Sequence, residues 1–297
     1  MRWLQLCAAL LTVRQAALLL VQQPAPSSPL GLRRELFWDS VDRHVITNAS
    51  GHERLAQFAQ NHWDLIARSN TAHPLAPGQQ CDVPFPGLTA RPWHDKTTFR
   101  WAARVEAGAG AAVSELAQFS DASERSADDD HSWNRAVTRL CENTDAFSKL
   151  ILRADGAGTR VGTKHFPKTL ALLNDLPLSP RPVAINRQRA RSGLDPHSDN
   201  LNFVLACHLG LVVPEGCRFV VAGAPPRPWQ RGRLLIADTT FVHHTTNPSE
   251  ADRCVLHFSI WHPELTLEER RGIERMHAAL REYEEACVRE GIGAAAA

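Results

Sequence analysis

From residue 182 to 261 the chain breaks into short apolar runs at 183–185, 203–213, 219–222, 233–237 and 254–261, separated by segments that carry glycine and proline. Pro214-Glu215-Gly216 is a ready hairpin connection between two of them. Regular short runs with glycine and proline turns between them argue for a β-sandwich or jelly roll. The core of this protein is therefore predicted to be mostly β, with helices before and after it.

Within that region sits Pro196-His197-Ser198-Asp199, with His243 46 residues after His197 and Arg253 ten residues after His243. On a strand, residues i and i+2 share a face, so His197 and Asp199 can turn toward one point to which a later strand or turn can bring His243. Two imidazoles and a carboxylate on one side of a metal leave its other positions open, the facial triad of non-haem Fe(II) oxygenases. Arg253 adds a planar fork of donors suited to a dicarboxylate. His244 adjoins His243 and competes for the same role. His257 lies four residues after Arg253 and either lines a pocket or is a structural histidine. Asp238 reads as a turn residue, His262 as structural, and Cys207 and Cys254 as small buried apolar groups.

A net charge of +1 gives no electrostatic reason to expect nucleic acid as a partner. The seven cysteines are scattered without a C-x-x-C pair, which argues against a zinc ribbon or a redox dithiol. Residues 1–34 hold four arginines and no acid, and 3–21 is mostly apolar with Arg14 inside it. This is the pattern of a signal peptide, transit peptide or signal anchor, with the proline-rich stretch 24–29 as linker. It places the protein in the secretory pathway or an organelle, with membrane association through residues 3–21 as one form. A cytosolic protein with an amphipathic N-terminal helix fits the same residues.

Between these landmarks, residues 35–180 read as mainly helical. Helical spacing covers 50–70, 113–119, 132–152 and 169–174, with loops at 74–96 and 120–131. The β core is assigned to 181–265. A C-terminal helix follows in 266–297, with Ile273, Met276, Leu280, Tyr283 and Cys287 as its apolar stripe.

The run from Pro196 to Asp199 through His208-Leu209-Gly210-Leu211 and Pro214-Glu215-Gly216-Cys217 resembles the aspartyl/asparaginyl β-hydroxylase family. So do Asp238-Thr239-Thr240-Phe241 before His243, Arg253 before Trp261-His262-Pro263-Glu264-Leu265, and, upstream, Phe85-Pro86-Gly87-Leu88 and Pro167-Lys168-Thr169. The likeness covers about residues 80–270. It implies a double-stranded β-helix and a dioxygenase that uses Fe(II), 2-oxoglutarate and O2. His197 and His243 become the iron ligands, with Asp199 standing where the animal enzyme has glycine. Arg253 takes the distal carboxylate of 2-oxoglutarate, His208 lies near its other end, and Asn186 occupies the place of a co-substrate-binding serine. Ala206 stands where the family has an arginine, so the inner carboxylate lacks that partner. The implied substrate is an Asp or Asn side chain in a protein; a lipid acyl chain or small molecule is the family's other branch. A non-catalytic cupin-like binding module and a metal-dependent hydrolase or isomerase are the readings from other classes.

Overall fold

The computed structural model describes residues 28–46, 53–69, 73, 75–123, 133–135 and 146–292. The targeting segment expected in 1–34 lies almost wholly outside them. Among the described residues no helix is long and apolar enough to cross a membrane.

In chain order the elements are helices α1 (Pro29–Val41) and α2 (Glu53–Ile66), strand β1 (Trp93–His94), helix α3 (Ala102–Ser123) and strands β2 (Asn134–Arg135), β3 (Phe147–Ala154) and β4 (Ala157–Gly158). Helices α4 (Arg160–His165) and α5 (Pro167–Leu172) follow. Then come β5 (Val183–Gln188), β6 (Ser192–His197), β7 (Val204–Val212), β8 (Arg218–Val221), β9 (Arg227–Pro228), β10 (Leu234–Ala237), β11 (His243–Asn247) and β12 (Arg253–Trp261), and helix α6 (Leu267–Arg289). By contacts the chain forms two units, residues 1–71 with 267–297, and residues 72–266. The sequence reading had kept 35–180 together as one helical region.

The smaller unit is helical. Ser28 caps α1 by accepting a hydrogen bond from Gly31 N at 3.0 Å, with Pro29 at the first helical position. The stripe of α6 is buried at Ile273, Met276, Ala279, Tyr283 and Cys287, while Leu280 is only partly covered. Phe37 of α1 meets Tyr283 edge-on at 5.7 Å and Trp63 of α2 at 5.6 Å, so aromatic burial ties its helices together.

In the larger unit, eight strands divide between two sheets. One runs β10-β7-β12-β5 and the other β9-β8-β11-β6. All their pairings are antiparallel. Successive strands from β5 onward alternate between the sheets except at the β8–β9 hairpin, which makes this a double-stranded β-helix. β1 extends the first sheet at one edge, and β3 and β2 extend it at the other.

The first sheet is covered on both faces. Its outer face, with Ile185, Leu205, Cys207, Leu209, Leu256 and Phe258, packs on α3 through Ala102, Val105, Ala109, Ala112, Leu116 and Phe119. Each fully buried large side chain there contributes roughly 1.5–3 kcal/mol. Glu115 of α3, itself buried, accepts from Lys168 N, Thr169 N and Thr169 Oγ1 at the start of α5, so a carboxylate caps a helix whose free N–H groups point at it. Between the sheets Cys217, Phe219, Val221, Trp229, Phe241 and Val255 form a second core.

Three expectations are corrected. The helix predicted over 132–152 ends in strand β3; Leu150, Ile151 and Leu152 in succession mask the alternation of buried and half-buried positions that the strand shows. Residues 136–145 of that prediction lie outside the described part. The short helix at 113–119 is the end of the longer α3, whose first half is too rich in alanine and glycine to show a stripe by eye. Strands β6 and β11 were absent from the apolar runs, and only the ligand spacing suggested extended chain there, because Ser192–His197 and His243–Asn247 contain almost no apolar residues.

Two glycines test this packing in opposite directions. A Cβ on Gly162 would meet Leu152 O at 2.0 Å, whereas one on Gly110, inside α3, meets nothing within 4 Å. Gly162→Ala is expected to lower the unfolding midpoint. Gly110→Ala should raise stability by about 0.5–1 kcal/mol through helix propensity, and thermal or chemical unfolding of the two variants checks both signs.

Candidate metal centre between the sheets

Strand pairing decides which side chains face the space between the sheets. Directly opposed residues of an antiparallel pair share a face. Val255 of β12 lies in the inter-sheet core and opposes Asn186 of β5. Arg253 and His257, two residues either side of Val255, therefore also point inward. Arg253 opposes Gln188, and His257 opposes His208 of β7. On the second sheet, Val221 faces the same core and opposes His243. His243 in turn opposes His197.

His197, Asp199 and His243 each offer a ligand atom within 4.8 Å of the others. The two rings lie 4.2 Å apart between centroids. His197 is the last residue of β6, and Asp199 lies beyond the strand rather than on it, which corrects the expectation that both share one strand face. The loop does the same work by another route. Asp199 N donates to Thr239 O at 2.8 Å, Thr239 Oγ1 donates to Asp199 Oδ2 at 2.8 Å, and Ser198 Oγ reaches Gln80 O and Thr240 O. A bulge between His197 and Leu194 sets an extra residue at Asp195-Pro196. Pro196 has no N–H to lose there, and β6 is an edge strand.

The histidine tautomers follow from their partners. His197 Nδ1 lies 2.7 Å from Asp195 O, and His243 Nδ1 lies 3.0 Å from Phe241 O. A carbonyl only accepts, so each Nδ1 carries the proton and each Nε2 presents its lone pair, as a metal-binding imidazole requires. Burial pushes the pKa of His243 down, against the pull of Asp199 upward, so this ring stays neutral below the usual histidine range. Burial alone would raise the Asp199 pKa. Arg181 at 3.4 Å, with His243 and the Thr239 hydroxyl, outweighs it and holds the carboxyl below its ordinary value. The contacts of Thr239 and Arg181 fall on Oδ2, which leaves Oδ1 for a metal.

Arg253 is 1% exposed and has no carboxylate within ion-pair distance among the described residues. Gln188 Oε1, which also accepts from Thr245, takes one of its N–H groups, and its guanidinium lies over Trp229 at 4.3 Å. Trp229 stacks with Phe219 at 5.4 Å, and Phe219 with His208 at 4.9 Å. Burial pulls Arg253 down to about 10, so it is still a cation at neutral pH. Buried polar atoms are normally paired, yet Arg253 Nε, His208 Nδ1 and Asn186 Oδ1 have no partner. A positive charge, a donor fork and three unpaired polar atoms on one inner face suit a bound polar anion, and the donor set beside them suits a metal with open positions. These residues fit iron and a dicarboxylate.

The neighbours sort themselves by strand parity. His244 opposes Val220 and points away from His243. His257 faces inward at 5.1 Å from His208, with its pKa lowered to about 3 by burial first. Asp238 accepts from Thr240 N and Oγ1 as a turn residue. His262 lies against Thr89 O and accepts from Glu264 N, while Cys207 and Cys254 are buried thiols. Sequence reasoning missed Lys149, Arg181, Gln188, Thr239 and the Trp229–Phe219 stack. Lys149 was hidden in a segment read as helix, Arg181 and Gln188 carry no motif, and Thr239 and Trp229 lie in stretches that matched the family without a role being given to them.

The model of the family described as Aspartyl/Asparaginyl beta-hydroxylase matches residues 104–263, more than half of the chain. The human protein named Aspartyl/asparaginyl beta-hydroxylase is 33% identical over 132 residues, 43% of this chain and 17% of its own length. The rat Aspartate beta-hydroxylase domain-containing protein 2 is 35% identical over 85 residues, 28% of this chain and 24% of its own. The matches thus span about a quarter or less of these relatives. Among solved structures, a Burkholderia pseudomallei oxidoreductase of the 2OG-Fe(II) oxygenase family aligns with a TM-score of 0.32 at 20% identity, covering 41% of this chain and 72% of its own. Streptomyces hygroscopicus HygX, with nickel and 2-oxoglutarate bound, aligns at 0.33 and 15%, covering 52% and 80%. The fold assignment rests on this chain's own strand order.

His243→Ala is expected to weaken Fe(II) or Mn(II) binding by at least about a hundredfold, the upper end of what losing a mere supporting partner does. His244→Ala should leave it within a factor of about three. Calorimetric metal titration of both variants separates the two histidines.

Proposed function

The chain belongs to the aspartyl/asparaginyl β-hydroxylase family, and on that premise we propose that it is an Fe(II)- and 2-oxoglutarate-dependent dioxygenase that hydroxylates the β-carbon of an Asp or Asn side chain in a protein. The observation that carries the reading is Arg253, a buried cation without a carboxylate, on the inner face that His197, Asp199 and His243 also reach. An unpaired buried charge is strongly unfavourable. A site that keeps one is built for an anion that arrives from outside.

In this reading His197 and His243 would hold iron through Nε2, and Asp199 through the oxygen that Thr239 and Arg181 leave free. Arg253 grips the distal carboxylate of 2-oxoglutarate with a fork that the Trp229 face keeps in plane. His208 and Asn186 offer polar atoms to the rest of the co-substrate. When bound, iron and 2-oxoglutarate would supply the oxidising chemistry, with one oxygen atom of O2 ending in the new hydroxyl, the other in succinate, and carbon dioxide released. The ring stack of Phe219, Trp229 and His208 gives that space an apolar wall. The substrate assignment follows the relatives' names, and the basic, apolar segment 1–34 would carry the protein into the secretory route.

Anaerobic addition of Fe(II) and then 2-oxoglutarate to the purified protein should produce a visible metal-to-ligand charge-transfer band. Arg253→Met should raise the 2-oxoglutarate concentration needed to form it by about 10- to 100-fold, the worth of one charge-assisted contact. A folded, iron-loaded protein that gives no band would turn this reading aside.

A further inference from the structure

Two cations the oxygenase reading leaves unused stand on the Asp199 side of the site. Lys149 of β3 opposes Asn186 across the β3–β5 pair, so it enters the space between the sheets in the row of Asn186 and Val255. It is half-buried, with its ammonium 5.8 Å from the Phe147 ring centroid. Among the described residues it has no carboxylate within ion-pair distance. Arg181 precedes β5 and reaches Asp199 Oδ2 with one arm of its guanidinium at 3.4 Å. Burial lowers the pKa of Lys149 and Arg181 lowers it further, whereas Asp199 raises it, so all three groups sense one another.

The charge balance is uneven. Asp199 is the carboxylate that Arg181 reaches and whose charge Lys149 senses, and it belongs to the candidate ligand group with His197 and His243. A divalent ion there makes the local excess of positive charge larger. Ala184 and Ala206, on the same inner face, add no charge and little volume. Charges set this close to a low-dielectric interior need a counter-ion.

We infer that Lys149 and Arg181 form a second carboxylate-binding subsite beside Asp199, separate from Arg253. It takes either the inner carboxylate of the co-substrate or the carboxylate of an acidic substrate. This rests on the oxygenase reading and sharpens it, because the second case makes the enzyme prefer Asp over Asn.

The test uses the full chain loaded with Zn(II), which binds without turnover. Calorimetry measures 2-oxoglutarate and, with 2-oxoglutarate present, two short peptides that differ only by Asp or Asn at the central position. Lys149→Met and Arg181→Gln are each expected to weaken one of these by about tenfold, and Lys149→Arg to restore most of it. Loss of 2-oxoglutarate affinity assigns the subsite to the co-substrate. Loss of the Asp-over-Asn ratio with 2-oxoglutarate unchanged assigns it to the substrate. Folded variants with unfolding midpoints near wild type that leave both 2-oxoglutarate binding and the Asp-over-Asn ratio as they are in wild type overturn the inference. A wild-type protein that takes neither metal nor 2-oxoglutarate overturns the oxygenase reading instead, and the subsite with it.

Discussion

The register in which β12 pairs with β5 on one side and β7 on the other is the constraint on which the site depends. It puts Arg253 opposite Gln188, Val255 opposite Asn186 and His257 opposite His208. Because side chains alternate, a slip of one residue would send Arg253 and His257 out against α3 and bring Cys254, Leu256 and Phe258 in. The apolar residues of the outer face hold the register in place. Leu256, Phe258 and Ile260 fill the core under α3, so the same packing that stabilises the sheet aims the polar residues of its other face.

That inner face is poorly satisfied for a protein interior. It holds a guanidinium without an acid, two further unpaired polar atoms and an extra lysine. A purely structural core would replace them with apolar groups of similar volume at no loss of stability. Their presence is the mark of a site whose missing partners come from solution, and Gln188, shared by Arg253 and Thr245, shows how the scaffold holds the guanidinium meanwhile.

The second sheet contributes differently. Its strands β6 and β11 are short and polar, and their placement comes from ladder hydrogen bonds and a turn rather than from a hydrophobic stripe. The 238–240 turn does several jobs at once: Asp238 organises it, Thr239 orients Asp199 and Thr240 O receives Ser198. Asp199 is thus set by a loop-to-turn contact 40 residues away in sequence, a more distant solution than the strand alternation its spacing suggests.

Much of this was legible without coordinates. The apolar runs marked five of the core strands because burial of one or both faces leaves its trace in composition. The three candidate metal ligands and Arg253 stood out because few residue types can bind iron or a dicarboxylate. Strands made of Ser, Gly, Thr, Asn and His leave no such trace, and β3, with Leu150, Ile151 and Leu152 in succession, imitates a helix. Local sequence thus determined the β character of the core, the ligand types and the C-terminal helix. The family resemblance already favoured His243 over His244, and strand parity turns His243 inward; only the tertiary structure decided that Asp199 sits in a loop beyond the strand and that Lys149 and Arg181 stand near it. Those are matters of strand parity and register between segments far apart in the chain, and no local pattern carries them.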